Sequence, residues 1–83
     1  MTKTKGEIRT VQAVKLPIGQ TLERGRVYSV SYDCTVRGLE EDGTILAYWT
    51  GEVDMWGKLT FEPVRGAQPH YLFPDEITDL EPA

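Results

Sequence analysis

The 83-residue sequence predicts an all-β fold, a small barrel of five or six short antiparallel strands with one 3₁₀ turn near residues 74–76. Three observations lead there. Eight glycines and five prolines interrupt the chain too often for a long helix to form. The longest stretch free of both, Arg26–Arg37, alternates Tyr28, Val30, Tyr32, Cys34 and Val36 with Ser29, Ser31, Asp33, Thr35 and Arg37. That period of two, rich in β-branched and aromatic residues, belongs to a strand with one buried and one wet face. Similar short runs recur along the chain with turn residues between them, as in small barrels.

Taken in order, Ile8–Leu16 reads as a first strand, and Pro17–Arg26 as a long structured loop around Leu22. After the strand Arg26–Arg37, the polar run Glu40-Glu41-Asp42-Gly43 is expected to turn the chain, with glycine supplying a positive φ. Thr44–Thr50 returns as a strand, with Ile45, Ala47 and Trp49 on one side and Leu46 and Tyr48 on the other. Apolar residues on both faces suit a central strand whose second face is covered or lies at an interface. Gly51 and Gly57 bracket a connection that holds Trp56. Lys58–Glu62 alternates again with Leu59 and Phe61 inward, and Pro63 ends it or marks an edge because proline has no ladder donor. Arg65–Pro69 is loop, His70–Phe73 strand, Pro74-Asp75-Glu76 one helical turn, and Ile77–Leu80 the closing strand. Residues 7–80 are expected to form a single domain, with 1–6 and 81–83 as flexible termini.

Three segments resemble SH3 and SH3-like barrels, in the right order. Leu22-Glu23-Arg24-Gly25-Arg26-Val27-Tyr28-Ser29-Val30 resembles the leucine-x-x-glycine-x-x-hydrophobic-x-hydrophobic run that enters their second strand. Tyr48-Trp49-Thr50-Gly51-Glu52-Val53 is similar to their tryptophan-tryptophan-x-glycine strand, and Phe73-Pro74-Asp75-Glu76-Ile77 with Leu80 to their 3₁₀ turn and last strand. The resemblance implies an SH3-like barrel over roughly residues 22–80. It does not carry proline-rich peptide recognition with it. Ala13-Val14-Lys15-Leu16-Pro17 keeps only the alanine of the aromatic segment, Ile77 stands for a groove tyrosine, and Tyr48 stands for the groove tryptophan. Asp54–Gln68 is also longer than the usual connection between the matching pieces.

Composition narrows the functional classes. The apolar share of 40% and charged share of 27% are ordinary for a soluble globular domain. A lone cysteine, Cys34, cannot form an intramolecular bridge, and no apolar run approaches a leader or membrane span, so a cytoplasmic setting is expected. Cys34 lies on the apolar face of its strand and reads as core, while His70 reads as a rim residue rather than its catalytic partner. One cysteine and one histidine fall short of structural zinc, and the dispersed glycines form no phosphate loop. No enzyme, metal or cofactor is expected.

The net charge of −4 is unevenly distributed. Residues 1–26 hold Lys3, Lys5, Arg9, Lys15, Arg24 and Arg26 against Glu7 and Glu23, whereas residues 27–83 hold eleven acids against Arg37, Lys58 and Arg65. Such a split is met in ordinary mixed soluble surfaces, or marks a basic arm and an acidic face that recruit different partners. The leading expectation is a non-enzymatic interaction module or accessory subunit binding a protein partner through Tyr48, Trp56, Glu52 and Asp54, with Trp56 either an exposed anchor or a cap on one end of the barrel. A second reading is a nucleic-acid-binding barrel using Lys3, Lys5, Arg9, Lys15, Arg24 and Arg26 on phosphates. A third is an acidic inhibitor or nucleic-acid mimic of the sort phages encode, motivated by the acidic segment.

Overall fold

The computed structural model describes residues 8–66 and 68–83. They form eight antiparallel strands and two 3₁₀ turns: β1 Arg9–Thr10, β2 Ala13–Lys15, β3 Thr21–Glu23, β4 Val27–Asp33, β5 Asp42–Val53, β6 Leu59–Pro63, β7 His70–Leu72 and β8 Ile77–Pro82. The first 3₁₀ turn, Thr35–Arg37, follows β4, and the second, Pro74–Glu76, joins β7 to β8. The all-β expectation and the turn at 74–76 hold. Among the described residues no helix is long and apolar enough to cross a membrane.

The main sheet runs β7-β6-β5-β4-β8, and β1 pairs with the far end of β5. Hairpin β2-β3 is a separate two-stranded sheet. The hydrogen-bonded path ends at β7 and β8, which are not paired to each other, so the sheet is open where a closed barrel was expected. Its two edges are nonetheless joined through the Pro74–Glu76 turn.

Alternation places the core. Tyr28 and Val30 from β4, Ala47 and Trp49 from β5, and Leu59 and Phe61 from β6 all point inward and are buried. Leu22, Leu72, Ile77 and Leu80 complete the cluster. Trp49, without solvent exposure, donates its indole N–H to the Glu52 carbonyl at 3.0 Å. That geometry depends on Gly51, whose φ of 92° lies in the left-handed region and kinks the strand. A Cβ there would also meet Arg24 Cδ at 2.7 Å.

Several expectations change, some through local side-chain bonds and some through partners distant in sequence. The strand expected over Arg26–Arg37 stops at Asp33, because Asp33 Oδ1 accepts the Thr35 N–H at 2.9 Å and starts a turn. Gly38, at φ 82°, closes that turn by donating to the Thr35 carbonyl. Gly43 therefore does not supply the positive φ of a hairpin; it lies inside β5 opposite Tyr32, where a Cβ would sit 3.2 Å from the Tyr32 hydroxyl. The first strand is broken in two because the chain changes partners. β1 bonds to β5 and β2 to β3, with Val11 N–H on the Gly51 carbonyl and Arg24 N–H on the Gln12 carbonyl between them. The loop expected over Pro17–Arg26 contains β3, with Leu22 fully buried. At the other end β8 continues through Pro82 opposite Tyr28, and Ala83 N–H reaches the Val27 carbonyl at 3.0 Å, beyond the boundary expected at residue 80.

Among the described residues Glu76 is the buried charged one, only 3% exposed. Its Oε1 accepts the Phe73 N–H at 2.8 Å, the reach-back that a glutamate at the third helical position makes to a cap. Its Oε2 lies 3.3 Å from Arg37 Nε, and Arg37 Nη2 donates to Asp75 Oδ1 at 2.6 Å. The same guanidinium sits 3.9 Å over the Phe73 ring, with Lys58 Nζ 5.2 Å from that ring's centroid. One arginine thus ties the turn after β4 to the turn before β8.

Glu76→Ala should remove its bonds to Phe73 and Arg37 and leave the Phe73 N–H without its partner, costing about 2–3 kcal/mol in urea unfolding. Removing only the Asp33 cap has a pH signature. The Thr35 hydrogen bonds hold the Asp33 carboxyl below its ordinary value. Its folded-state contribution is therefore present above about pH 4 and lost as pH falls through the lowered value. The stability gap between wild type and Asp33→Ala should accordingly shrink on acidification from about pH 6 to pH 2–3.

Candidate functional site

Even-numbered residues of β5 face away from the core, and register extends this outer face across the sheet. Tyr48 lies opposite Glu62 of β6, and Thr60 of β6 lies opposite Tyr71 of β7. Leu46, Tyr48, Val64 and Tyr71 are all exposed large apolar or aromatic residues. Met55 and Trp56, from the turn that follows β5, are exposed beside them, Trp56 by 70%.

That turn is built by its first residue. Asp54 Oδ1 accepts the N–H groups of Trp56 at 2.9 Å and Lys58 at 2.8 Å. Asp54 and Lys58 also bond through their backbones at 3.0 Å, and Gly57 N–H reaches the Asp54 carbonyl at 2.9 Å. The backbone under Trp56 is therefore held by four hydrogen bonds while its indole stands in solvent. An ordered backbone below an exposed tryptophan lowers the entropy lost when a partner buries it.

Trp56, Tyr71, Met55 and Ile8 share a groove of about 410 Å³ with Glu52, Asp54, Glu62 and Thr60. Of the expected partner-binding residues, Trp56, Glu52 and Asp54 meet here, and Tyr48 sits on the adjoining surface through its pairing with Glu62. Asp54 has one oxygen committed to the turn, whereas Glu52 and Glu62 form no ion pair among the described residues. Tyr71 and Glu62 were not expected in the site. Tyr71 lies in the strand expected over His70–Phe73, and it is 54% exposed. Leu72 points inward in a three-residue strand, so alternation alone was enough to turn Tyr71 out.

The basic residues lie on β1, on β2 and in the segment that follows β3. Arg9 lies on β1 opposite Val53, and Lys15 on β2 opposite Thr21. Arg24 packs over Gly51, while Arg26 pairs with Glu23 at 3.6 Å and lies 5.7 Å from the Tyr28 ring centroid. Lys3 and Lys5 lie outside the described residues.

Cys34 and His70 line one further cleft of about 410 Å³, together with Tyr32, Arg37 and Glu76. Cys34 is 4% exposed, as expected of a core residue, and the His70 ring packs 6.1 Å from Tyr32. Burial pushes the Cys34 thiol up from its ordinary value, and the charge of Glu76 and a hydrogen bond to it push the same way. A nucleophilic cysteine needs the opposite environment, one that favours thiolate. Among the described residues no cluster of three histidine, cysteine, aspartate or glutamate side chains is placed to hold a metal ion.

No family model, curated protein or solved structure matches this chain. The functional reading therefore rests on the site itself.

The Cys34 environment has a direct consequence. At pH 7–8 the native protein should react with a thiol-specific disulfide reagent far more slowly than the urea-unfolded chain, and Glu76→Gln should narrow that difference by removing the buried charge.

Proposed function

We propose that this chain is a small, non-enzymatic protein-interaction module or accessory subunit, working in a reducing, cytoplasmic setting. Its binding surface is the outer face of β5, β6 and β7 with the Asp54–Gly57 turn. A partly open SH3-like barrel is the architecture we assign to it, supported by the 3₁₀ turn that joins the two edges of the sheet. That likeness transfers no function, since small barrels host unrelated activities.

The observation that carries the reading is Trp56, 70% exposed on a turn fastened by its own hydrogen bonds. Exposed tryptophan and tyrosine on a firm backbone have the composition of interface hot spots, which bury much area for little lost entropy. Tyr48 and Tyr71 extend the apolar patch around it, and Glu52 and Glu62 give it a charged rim. A nucleic-acid interface would need its cations free and gathered, whereas Arg24 and Arg26 are engaged in local packing and pairing.

Two experiments test this. The immobilised chain should retain a cellular protein that Trp56→Ala and Tyr48→Ala each release, with an affinity loss of about 10-fold or more and an unchanged near-ultraviolet circular dichroism spectrum. In parallel, NMR titration with a short DNA duplex and a single-stranded RNA, at about 50 mM salt, should leave Arg9, Lys15, Arg24 and Arg26 unshifted. Shifts gathered at those residues and lost on adding salt would replace the protein partner with a nucleic acid.

A further inference from the structure

We infer that the groove between the Asp54–Gly57 turn and the outer faces of β6 and β7 receives a lysine or arginine side chain from an extended protein segment. This rests on the outer face being the partner surface and states the chemistry that the surface selects.

Two kinds of lining meet in the groove. Trp56, Tyr71, Met55 and Ile8 supply apolar and aromatic area, and Glu52 and Glu62 supply negative charge. A long basic side chain has the same two parts, an alkyl stem that prefers apolar contact and a cationic head that stays polar. Aromatic faces also attract cations through their quadrupole, most strongly for tryptophan.

The charges around the groove point the same way. Lys58, the base nearest in sequence to the turn, is directed at the Phe73 ring, with its Nζ 5.2 Å from the centroid. Arg37 is held by Asp75 and Glu76. Arg65 lines a separate groove with Leu46 and Val64. Among the described residues, then, no cation pairs with Glu52 or Glu62. The groove's own carboxylates, Glu52, Asp54 and Glu62, favour an approaching cation over phosphate or an acidic peptide.

A purely apolar occupant fits poorly. Seating it would take water from Glu52 and Glu62 without replacing their hydrogen bonds, and an unpaired buried carboxylate is costly. The basic head group resolves that conflict. Its stem covers the apolar lining while its N–H groups meet the carboxylates. Extended backbone suits the site because the lining comes from the end of β5, one turn and two strands, a shallow surface rather than a deep hole.

The test uses the full isotope-labelled chain and three small probes: Nα-acetyl-lysine methylamide, its arginine counterpart and its uncharged norleucine counterpart. NMR should show saturable shifts at the Trp56 indole N–H, Tyr71 and the amides of residues 52–58 with both basic probes. The norleucine probe should bind at least 5-fold more weakly. Trp56→Ala and the paired variant Glu52→Gln/Glu62→Gln should each weaken the basic probes at least 3-fold; these are exposed or half-buried positions, and spectra without probe report whether the fold is kept.

Equal binding of norleucine would overturn the cation assignment while leaving an apolar protein partner in place. Absence of saturable shifts with any probe would overturn it too, and the capture experiment with Trp56→Ala would then decide separately whether the face binds protein at all. Concentration-dependent shifts at the same residues without any probe would make the occupant a second copy of this chain and would also overturn the proposal.

Discussion

The fold turns on a buried carboxylate. Glu76 holds the Phe73 N–H with one oxygen and faces Arg37 with the other, and Arg37 reaches on to Asp75. Strands β4 and β8 are neighbours in the sheet, and the segments that leave β4 and enter β8 are short 3₁₀ turns. The arginine bridges them across 38 residues of sequence. Because Glu76 is buried, its bonds are made in a low dielectric where each is worth more than at the surface, and where breaking one leaves a costly orphan. Arg37 also stacks on Phe73, 3.9 Å from the ring centroid.

The candidate site depends on a similar economy at the opposite end of β5. Gly51 bends the strand and returns the Glu52 carbonyl to the Trp49 indole, which fixes the direction in which the next residues leave the sheet. Asp54 then closes the turn with its side chain, and Trp56 is presented outward. Two tryptophans seven residues apart thus serve opposite purposes. Trp49 fills the core with no exposure, and Trp56 offers its ring to solvent. Such exposure of a large aromatic costs hydrophobic free energy in the isolated chain, and a partner that covers it recovers that cost.

Much of the fold was legible locally. The inward faces of Tyr28-Val30, Ala47-Trp49 and Leu59-Phe61 follow from a period of two, and the turn at Pro74–Glu76 follows from proline with two acids behind it. Where the reading went astray, a hydrogen-bond partner distant in sequence or a local side-chain bond overrode the pattern. Cys34 continues the alternation of β4, yet Asp33 captures the Thr35 amide and the chain turns. Ile8–Leu16 has strand character throughout, yet it serves two sheets in succession.

The sequence by itself determined which side chains are apolar on alternate positions, where turns are cheap, and that Trp56 stands apart from the strands with acids near it. These are properties of single residues and their immediate neighbours. Only the tertiary structure decided that Tyr71 and Glu62 join Trp56 and Glu52 in one groove, that Arg24 and Arg26 are committed to local contacts, and that Cys34 faces a buried carboxylate. Those facts depend on strand register, on which edge pairs with which, and on what surrounds each charge. Register is set by burying one whole face at once, so it belongs to the assembled sheet and to no segment of it.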